Sequence, residues 1–273
     1  MQKAVFVLLL ISSVLGACKQ DRKNTGEQQD TDLHASPKQL TGNWIAMDFC
    51  ARANQYGSVL QAMNNAHLPY AFAITFDPAR PDSAICDNGM ETWSLAVKYN
   101  VDTLELVNAR PGKSVFLIYN SEGDKDMTMF DVTSGTAQMD RFIRSKADTK
   151  SGKAAFLIAL NHNVLDGVFT SASKGVTGDV MFASTGTIQG IKDYDRYELC
   201  VAGDCFVTGD AIDVISLSNS KLEGSEKMFG YRFDGHNQTL SLFQLINTNP
   251  EEKGAYTVGA EVFRFARKKA DKK

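Results

Sequence analysis

The sequence predicts an all-β protein built on an antiparallel β-barrel, with one short helix after the first strand. From Leu40 onward, short segments alternate apolar and polar residues, and Gly, Asn or Asp residues separate them. Regularly spaced strands with turn residues between them are typical of antiparallel barrels and sandwiches. The exception is segment 52–66, in which apolar side chains recur at helical spacing, namely Tyr56, Val59, Leu60 and Met63. A single glycine, Gly57, weakens that helix.

The predicted strands are, in chain order, 69–77, 92–99, 102–108, 114–119, 126–132, 136–144, 155–160, 165–170, 186–190, 194–201, 205–208, 211–217, 228–234, 239–246 and 256–267. The chain from Leu40 to Lys273 is longer than one small barrel needs, so we expect an enlarged barrel or two lobes. Two hairpin segments share a T-L-x-L pattern, at 103–106 and 239–242. A duplication would explain the pattern, but any β-meander produces such pairs, and we favour generic hairpins.

The composition excludes several classes of protein. Hydrophobic residues make up 43% of the chain and charged residues 22%, which are ordinary values for a globular domain. Lysine and arginine number 29 against 32 aspartates and glutamates, and the net charge of -3 excludes a strongly basic nucleic-acid binder. The apolar content also excludes a wholly disordered chain.

The first residues have the form of a secretory leader. A short basic start, Met1-Gln2-Lys3, precedes the apolar segment 4–14, which is too short to span a membrane because a span needs about 20 residues. The segment is followed by Leu15-Gly16-Ala17-Cys18, which resembles the lipobox of bacterial lipoproteins. The resemblance implies that residues 1–17 are removed and that Cys18 becomes a lipid-modified N-terminus, with a diacylglyceryl thioether and usually a third acyl chain. An ordinary secretory signal with a free Cys18 thiol is the alternative.

Residues 18–39 are predicted to form a disordered tether between this membrane anchor and a barrel domain at 40–273. The segment after the cysteine has one leucine, no aromatic residue and alternating charges, so it cannot bury enough apolar surface to fold. We expect His34, within it, to be solvated. The lipoprotein resemblance implies aspartate after the cysteine for inner-membrane retention, and Lys19 stands there instead. We therefore expect a cell-envelope protein, anchored in the outer membrane.

The start of the folded part resembles the lipocalins and related calycin barrels. Gly42-Asn43-Trp44 matches their G-x-W motif, and Leu40-Thr41-Gly42-Asn43-Trp44 is similar to the start of many bacterial lipocalin-like lipoproteins. In those proteins a short helix with a tyrosine follows the first strand, and Tyr56 agrees with that order. The resemblance implies a barrel that holds a ligand.

In the same family the last strand closes the barrel, and a basic residue on it packs across the buried tryptophan. The segment 262–267 looks like this closing strand. Phe263, Phe265 and Arg267 share one face of a strand by parity, which assigns the basic role to Arg267 rather than Arg264. The resemblance therefore implies that Gly42, Trp44 and Arg267 close the barrel together.

Four cysteines lie outside the predicted anchor, an even number in an oxidising compartment. Cys200 and Cys205 flank a Gly-Asp turn, so a hairpin would place them opposite each other, and we expect a disulfide there. Cys50–Cys86 is the second expected disulfide, and each requires Cα atoms within about 7 Å. Zinc is the alternative, but the Cys200–Cys205 spacing is one residue too wide and no histidine is close in sequence to any of the four.

The sequence contains no G-x-S-x-G, H-E-x-x-H, P-loop or dinucleotide motif. His162 and His236 lie in segments predicted to be turns, and His67 ends the predicted helix, where an imidazole favours the helix dipole. We therefore expect no catalytic residue, no metal and no cofactor.

Two functions of different classes remain. The first is a tethered lipocalin-like barrel that binds a small apolar or amphipathic molecule, or an envelope partner. The second is an enzyme acting on an envelope lipid or glycan, which an interior with two ionisable groups of perturbed pKa would favour. A dry interior filled by Phe and Leu would instead indicate a structural surface protein. The sequence does not identify the ligand-binding residues.

Overall fold

The computed structural model describes residues 35–64, 67–122, 125–201, 212–234, 236–249, 251 and 255–269. They form two lobes, each built on an eight-stranded antiparallel sheet, with few helices. Both lobes belong to one compact unit, Leu33–Lys273. Within the described ranges no helix is long and apolar enough to cross a membrane. The predicted all-β barrel class is confirmed, and the chain has two lobes.

Lobe 1 is a closed barrel in which each strand pairs with the next and the last pairs with the first. Its strands are β1 (Gly42–Ala46), β2 (Ala73–Phe76), β3 (Ser83–Asp87), β4 (Thr92–Asn100), β5 (Thr103–Arg110), β6 (Lys113–Tyr119), β7 (Asp126–Asp131) and β8 (Gln138–Arg144). Helix α1 (Pro37–Leu40) precedes β1, and helices α2 (Met47–Tyr56) and α3 (Val59–Asn64) follow it.

Helix α1 extends the folded part into residues that the sequence assigned to the tether. Ser36 caps it, and Ser36 and Gln39 exchange hydrogen bonds in a capping box. Ala35 is buried. The folded part therefore includes residues 35–39.

Lobe 2 has the same circular order of strands. Helix α4 (Gly152–Val164) precedes its first strand, and the first and last strands pair. The strands are β9 (Gly167–Thr170), β10 (Val176–Phe182), β11 (Ile188–Ile191), β12 (Arg196–Leu199), β13 (Asp213–Ser218), β14 (Lys227–Asp234), β15 (Thr239–Asn247) and β16 (Tyr256–Arg267). An isolated bridge joins Thr187, which directly precedes the edge strand β11, to Arg196 of the other edge strand, β12. The predicted last strand, 256–267, is confirmed as β16.

Within the described residues, buried side chains fill the interior of both lobes. In lobe 1 the fully buried set includes Trp44, Ile74, Cys86, Leu104, Leu117, Met127 and Phe142. In lobe 2 the core is richer in aromatic rings, with Phe169, Phe182, Tyr197, Phe229, Tyr231 and Phe265. These rings meet mostly edge to face, as Phe169 and Phe182 do at 5.5 Å.

The predicted helix 52–66 is divided into α2 and α3 by Gly57. This residue ends α2 in the left-handed conformation, with φ 61°, and its N–H bonds to carbonyls of the last turn. A Cβ added here would lie 2.2 Å from Oδ1 of Asn237 in lobe 2. The glycine that weakens a continuous helix thus ends one helix and allows the two lobes to approach.

Segment 155–160 was predicted to be a strand and instead belongs to α4. This helix is apolar on all sides, so the sequence shows neither a helical stripe nor an alternation. The cause is its location between the lobes, because Phe156 stacks on Phe72 of lobe 1 at 4.8 Å while α4 leads into β9. His162 consequently lies in a helix, not in the predicted turn, with Nδ1 2.9 Å from an Asp166 carboxylate oxygen.

A buried carboxylate joins the two lobes. Asp213 on β13 accepts a hydrogen bond at 2.8 Å from the backbone N–H of Leu60, in the first turn of α3. Burial raises the pKa of Asp213, although hydrogen bonds from Ser58, Leu60 and Val59 lower it. The ionised carboxylate is therefore less favourable in the folded protein than in water.

This pKa shift predicts a pH-dependent contribution to stability. A folded-state pKa above the unfolded value stabilises the fold below about pH 4, and that stabilisation is lost as pH rises through the raised pKa. Asp213→Asn should remove this dependence while keeping an acceptor for Leu60. We expect the unfolding free energy of the wild type, relative to Asp213→Asn, to fall with increasing pH in urea titrations. A difference that is constant or grows with pH would contradict the assignment.

Candidate ligand-binding site

One end of the lobe 1 barrel is closed by Trp44 and Arg144. The two residues pair directly across β1 and β8, and the guanidinium carbon lies 4.9 Å from the centre of the Trp44 ring. The buried indole N–H donates to the Leu40 carbonyl at 2.7 Å, and Arg144 donates to the Gln39 carbonyl. Both carbonyls belong to α1, so this pair attaches the helix to the barrel. The predicted burial of Trp44 is confirmed.

The prediction that Arg267 packs across Trp44 is wrong, because Arg267 closes lobe 2. It pairs with Phe169 across β16 and β9, and its guanidinium carbon lies 4.6 Å from the centre of that ring. Arg267 also donates to the carbonyls of Asp166 at 2.5 Å and Val164 at 3.2 Å, beside the end of α4. The two lobes therefore repeat one closing device, in which an arginine covers an aromatic ring and bonds to the preceding helix.

A glycine stands two residues before the aromatic ring in both lobes. Gly42 has φ 118° and Gly167 has φ 144°, backbone conformations that favour glycine. At Gly167 a Cβ would also lie 2.7 Å from Nη1 of Arg267. The sequence signal for the repeat is thus G-x-[WF], at 42–44 and 167–169, together with R-F-x-R.

The R-F-x-R motif occurs at 141–144 and 264–267 and supplies both closing arginines. The family resemblance implies a single closing strand at the end of the chain, and it therefore pointed only to the second copy. The T-L-x-L segments do not mark the repeat. They lie on β5 and β15, which are the fifth strand of one lobe and the seventh of the other.

The opposite end of the lobe 1 barrel has an open cavity of about 690 Å³. Arg144 ends β8, whereas Asp131, beside the cavity, pairs with Gln138 at the start of that strand. The two ends are therefore roughly 20 Å apart along β8. Apolar and aromatic side chains form most of the cavity wall, including Met63, Leu68, Tyr70, Phe72, Met90 and Trp93, and the polar ones are Asn88, Glu91 and Arg110.

Two half-buried aromatic rings, Tyr70 and Trp93, hold each other in place in this wall. They meet edge to face with ring centres 5.5 Å apart. The Trp93 indole N–H donates to the Tyr70 hydroxyl at 3.0 Å, and this hydroxyl donates to the Ala109 carbonyl at 2.6 Å. Burial raises the pKa of Tyr70, so the hydroxyl stays protonated at neutral pH and keeps its donor role. The rings come from segments predicted to be strands, but the sequence did not indicate that they meet.

Arg110 gives the cavity a positive charge beside these rings. Its guanidinium carbon lies 5.6 Å from the centre of the Tyr70 ring, and one nitrogen lies 3.9 Å from an oxygen of Asp131. Asp131 is almost fully buried and also accepts a hydrogen bond at 2.8 Å from the backbone N–H of Thr133. Because about half of the Arg110 side chain is exposed (53%), its other N–H groups can reach a bound molecule.

A second polar pair, His67 and Asp140, lies at the same end of lobe 1. The Nε2 atom of His67 is 3.2 Å from both carboxylate oxygens. Burial raises the pKa of Asp140, and the neighbouring His67 opposes that shift. His67 was predicted to favour a helix dipole, and the structure instead gives it a carboxylate partner. Neither side chain is among those that line the cavity.

The predicted Cys50–Cys86 disulfide is wrong. Both residues are free, fully buried thiols, and burial raises the pKa of each to about 12. Cys86 lies on β3 in register with Trp93, whereas Cys50 lies on α2, outside the sheet. The predicted Cys200–Cys205 disulfide stays a prediction, since Cys205 lies outside the described residues.

The buried thiols predict a large contrast in reactivity. A thiol with a pKa of about 12 is almost entirely protonated at neutral pH, and the thiolate is the reactive form. We expect a maleimide to label Cys50 and Cys86 in denaturant and to leave both unlabelled in the native protein, as measured by peptide mapping. Rapid native labelling of either residue would contradict its placement in the core.

The other candidate residues do not converge on a site. His236 lies in the turn between β14 and β15, as predicted, while Cys18 and His34 lie outside the described residues. Across the described part of the chain, no group of three or more His, Cys, Asp or Glu side chains could hold a metal ion.

Comparisons with models of protein families, with curated proteins and with solved structures found no match to this chain.

Proposed function

We propose that this chain is an envelope lipoprotein whose lobe 1 binds a small amphipathic molecule at its open end. The observation that carries the proposal is the cavity bordered by Tyr70, Trp93 and Arg110. Its volume of about 690 Å³ falls within the range of small-molecule sites, roughly 300–1,000 Å³. Such sites usually combine an apolar wall with a few placed polar groups, and this cavity has that composition.

The aromatic wall favours binding because its rings are already held in position before a ligand binds. The hydrogen bonds between Trp93, Tyr70 and the Ala109 carbonyl hold the two rings in one orientation. These two side chains therefore lose little additional conformational entropy when a ligand packs on them, a loss that is a large cost in flexible sites.

The lining also indicates the class of ligand. The barrel below the site is filled by buried side chains such as Leu117 and Met129, so a ligand occupies the end of the barrel and not its length. Its apolar part would pack against Phe72 and Trp93, and a polar or anionic group would face Arg110. We therefore propose a compact amphipathic molecule.

The lipid anchor belongs to the same proposal and depends on the leader sequence. The lipobox ending in Cys18, followed by Lys19, supports lipidation and an outer-membrane location. Two acyl chains give stable membrane anchoring, because each buried CH₂ contributes about 0.8 kcal/mol. An anchored binding protein would keep its amphipathic ligand within reach of the envelope.

An enzyme acting on an envelope lipid or glycan is the second candidate, and the His67–Asp140 pair favours it. A histidine bonded to a carboxylate of raised pKa is an arrangement that acid–base catalysis uses. Because neither side chain lines the cavity, the geometry supports binding more directly than catalysis.

Fluorescent probes of matched shape and different charge test the proposed site. The anionic probe is anilinonaphthalene sulfonate and the neutral probe is phenylnaphthylamine, each titrated into the protein comprising residues 33–273. We expect Trp93→Ala to lower the affinity for both probes by about tenfold or more, since truncating an aromatic side chain that the ligand buries costs at least about 1.4 kcal/mol. Arg110→Gln should weaken the binding of the anionic probe and leave the binding of the neutral probe unchanged.

The matched control is Arg80→Gln, which removes another exposed arginine near a carboxylate, Asp77 at 3.6 Å. It should leave both titrations unchanged. Equal affinities for the wild type, Trp93→Ala and Arg110→Gln would show that the probes bind elsewhere and would refute the site.

A further inference from the structure

A second cavity, of about 470 Å³, lies on the outer side of β8, near the end closed by Trp44 and Arg144. We call it the basic cleft, and its lining is Met47, Lys125, Arg141, Ile143, Arg144, Ser145 and Lys146. Four of these seven residues carry a positive charge, although the chain as a whole has a net charge of -3. A cavity so enriched in one charge attracts a ligand of the opposite charge.

Internal contacts occupy only part of this charge. Arg141 pairs with Asp126 at 2.6 Å, and Arg144 is held against the Trp44 ring. Within the described part of the chain, Lys125 and Lys146 have no carboxylate in ion-pair contact, and both are exposed. The two lysines are exposed members of the lining and are therefore available to an anion.

Two apolar side chains also belong to the lining, Met47 at the start of α2 and Ile143 on β8, beside the polar Ser145. Both are partly exposed. A cleft that combines cations with apolar side chains suits an anion that carries carbon chains better than a fully hydrated inorganic ion.

The cleft also lies where the chain enters the fold. Arg144 donates a hydrogen bond to the Gln39 carbonyl of α1, and α1 directly follows Ala35. Sixteen residues separate Cys18 from Ala35 in the sequence. They can span at most about 60 Å whatever their conformation, so an anchor at Cys18 would hold the start of α1 within that distance of the bilayer.

We propose that the basic cleft binds the phosphate of an anionic lipid headgroup, with Lys125 and Lys146 as its principal contacts. The location at the membrane rests on the anchor of the proposed function, whereas the charge and the lining of the cleft do not. The ligand cavity bordered by Trp93 would then open at the end of lobe 1 that is opposite the membrane-facing cleft.

Vesicle co-sedimentation tests this proposal with the protein comprising residues 33–273, which lacks the anchor. The vesicles are pure phosphatidylcholine or a two-to-one mixture of phosphatidylcholine and phosphatidylglycerol. We expect binding to the mixed vesicles only. The double variant Lys125→Gln/Lys146→Gln should bind about 25-fold more weakly, since each basic residue near an anionic surface contributes about fivefold.

The matched control is Lys192→Gln/Lys221→Gln, which removes two exposed lysines of lobe 2 and should bind like the wild type. Equal binding by the two double variants would place the membrane contact elsewhere and overturn the proposal. Calorimetric binding of inorganic phosphate without binding to mixed vesicles would also overturn it, since the cleft would then recognise free phosphate. Fractionation of the full-length Cys18→Ser variant tests the anchor separately, so failure of one result does not imply failure of the other.

Discussion

Trp44→Ala is expected to lower the free energy of unfolding by about 3–5 kcal/mol, the usual cost of truncating a fully buried large aromatic residue. The substitution removes the ring beneath Arg144 and the hydrogen bond to the Leu40 carbonyl. It also leaves the carbonyl and the guanidinium without these partners, which adds to the cost of the cavity. We expect lobe 1 to become the less stable part of the molecule.

Urea unfolding followed by tryptophan fluorescence measures this effect. The chain has two tryptophans, Trp44 and Trp93, and both belong to lobe 1. The remaining Trp93 therefore reports the unfolding of that lobe in the variant. A transition midpoint unchanged from the wild type would contradict the role of Trp44 as the buried base of the barrel.

Phe169→Ala is expected to have a comparable effect on lobe 2, again about 3–5 kcal/mol. Phe169 is fully buried, contacts Phe182 and Phe265 edge to face, and lies under the Arg267 guanidinium. Because Arg267 bonds to carbonyls beside the end of α4, loss of the ring should also loosen that helix. We expect the two substitutions to lower stability by similar amounts because the two lobes share the same closing device.

Circular dichroism measures this second effect, since it reports both sheets, and its comparison with tryptophan fluorescence separates the lobes. The control is Phe116→Ala, because Phe116 is 38% exposed on the outer face of lobe 1 and should contribute about 1 kcal/mol or less. If Phe169→Ala were no more destabilising than this control, lobe 2 would not depend on its aromatic–arginine pair.

Much of the fold could be predicted because strand alternation is a local property. The segments that became β4, β7, β15 and β16 show it over most of their length, and Trp44 follows Gly42 by two residues in the G-x-W motif. The short strands β3 and β10 were missed. β3 has only five residues and ends in Asp87, whose carboxylate accepts hydrogen bonds from Gly89 and Thr92 after the strand, while glycine and aspartate interrupt β10.

The errors in the fold share a physical origin in contacts between distant segments. Helix α4 lacks an amphipathic stripe because it contacts both lobes, through Phe156 on Phe72 of lobe 1 and through Asn161 bonded to Ser184 of lobe 2. Arg267 was assigned to Trp44 because one closing strand was assumed. The residues of the candidate site could not be found for the same reason. Tyr70, Trp93 and Arg110 meet only after the register of β2 to β5 is fixed, and single segments do not reveal that register.

Native mass spectrometry tests the central claim, a ligand site at the open end of lobe 1, most directly. The protein comprising residues 33–273 and its Trp93→Ala and Arg110→Gln variants are exposed to lipid and glycan extracts of the producing cell's envelope. We predict an adduct of fixed mass on the wild-type protein that is lost or strongly reduced in both variants. An adduct retained equally by all three proteins, or a wild-type protein that stays free of adducts, would contradict the claim.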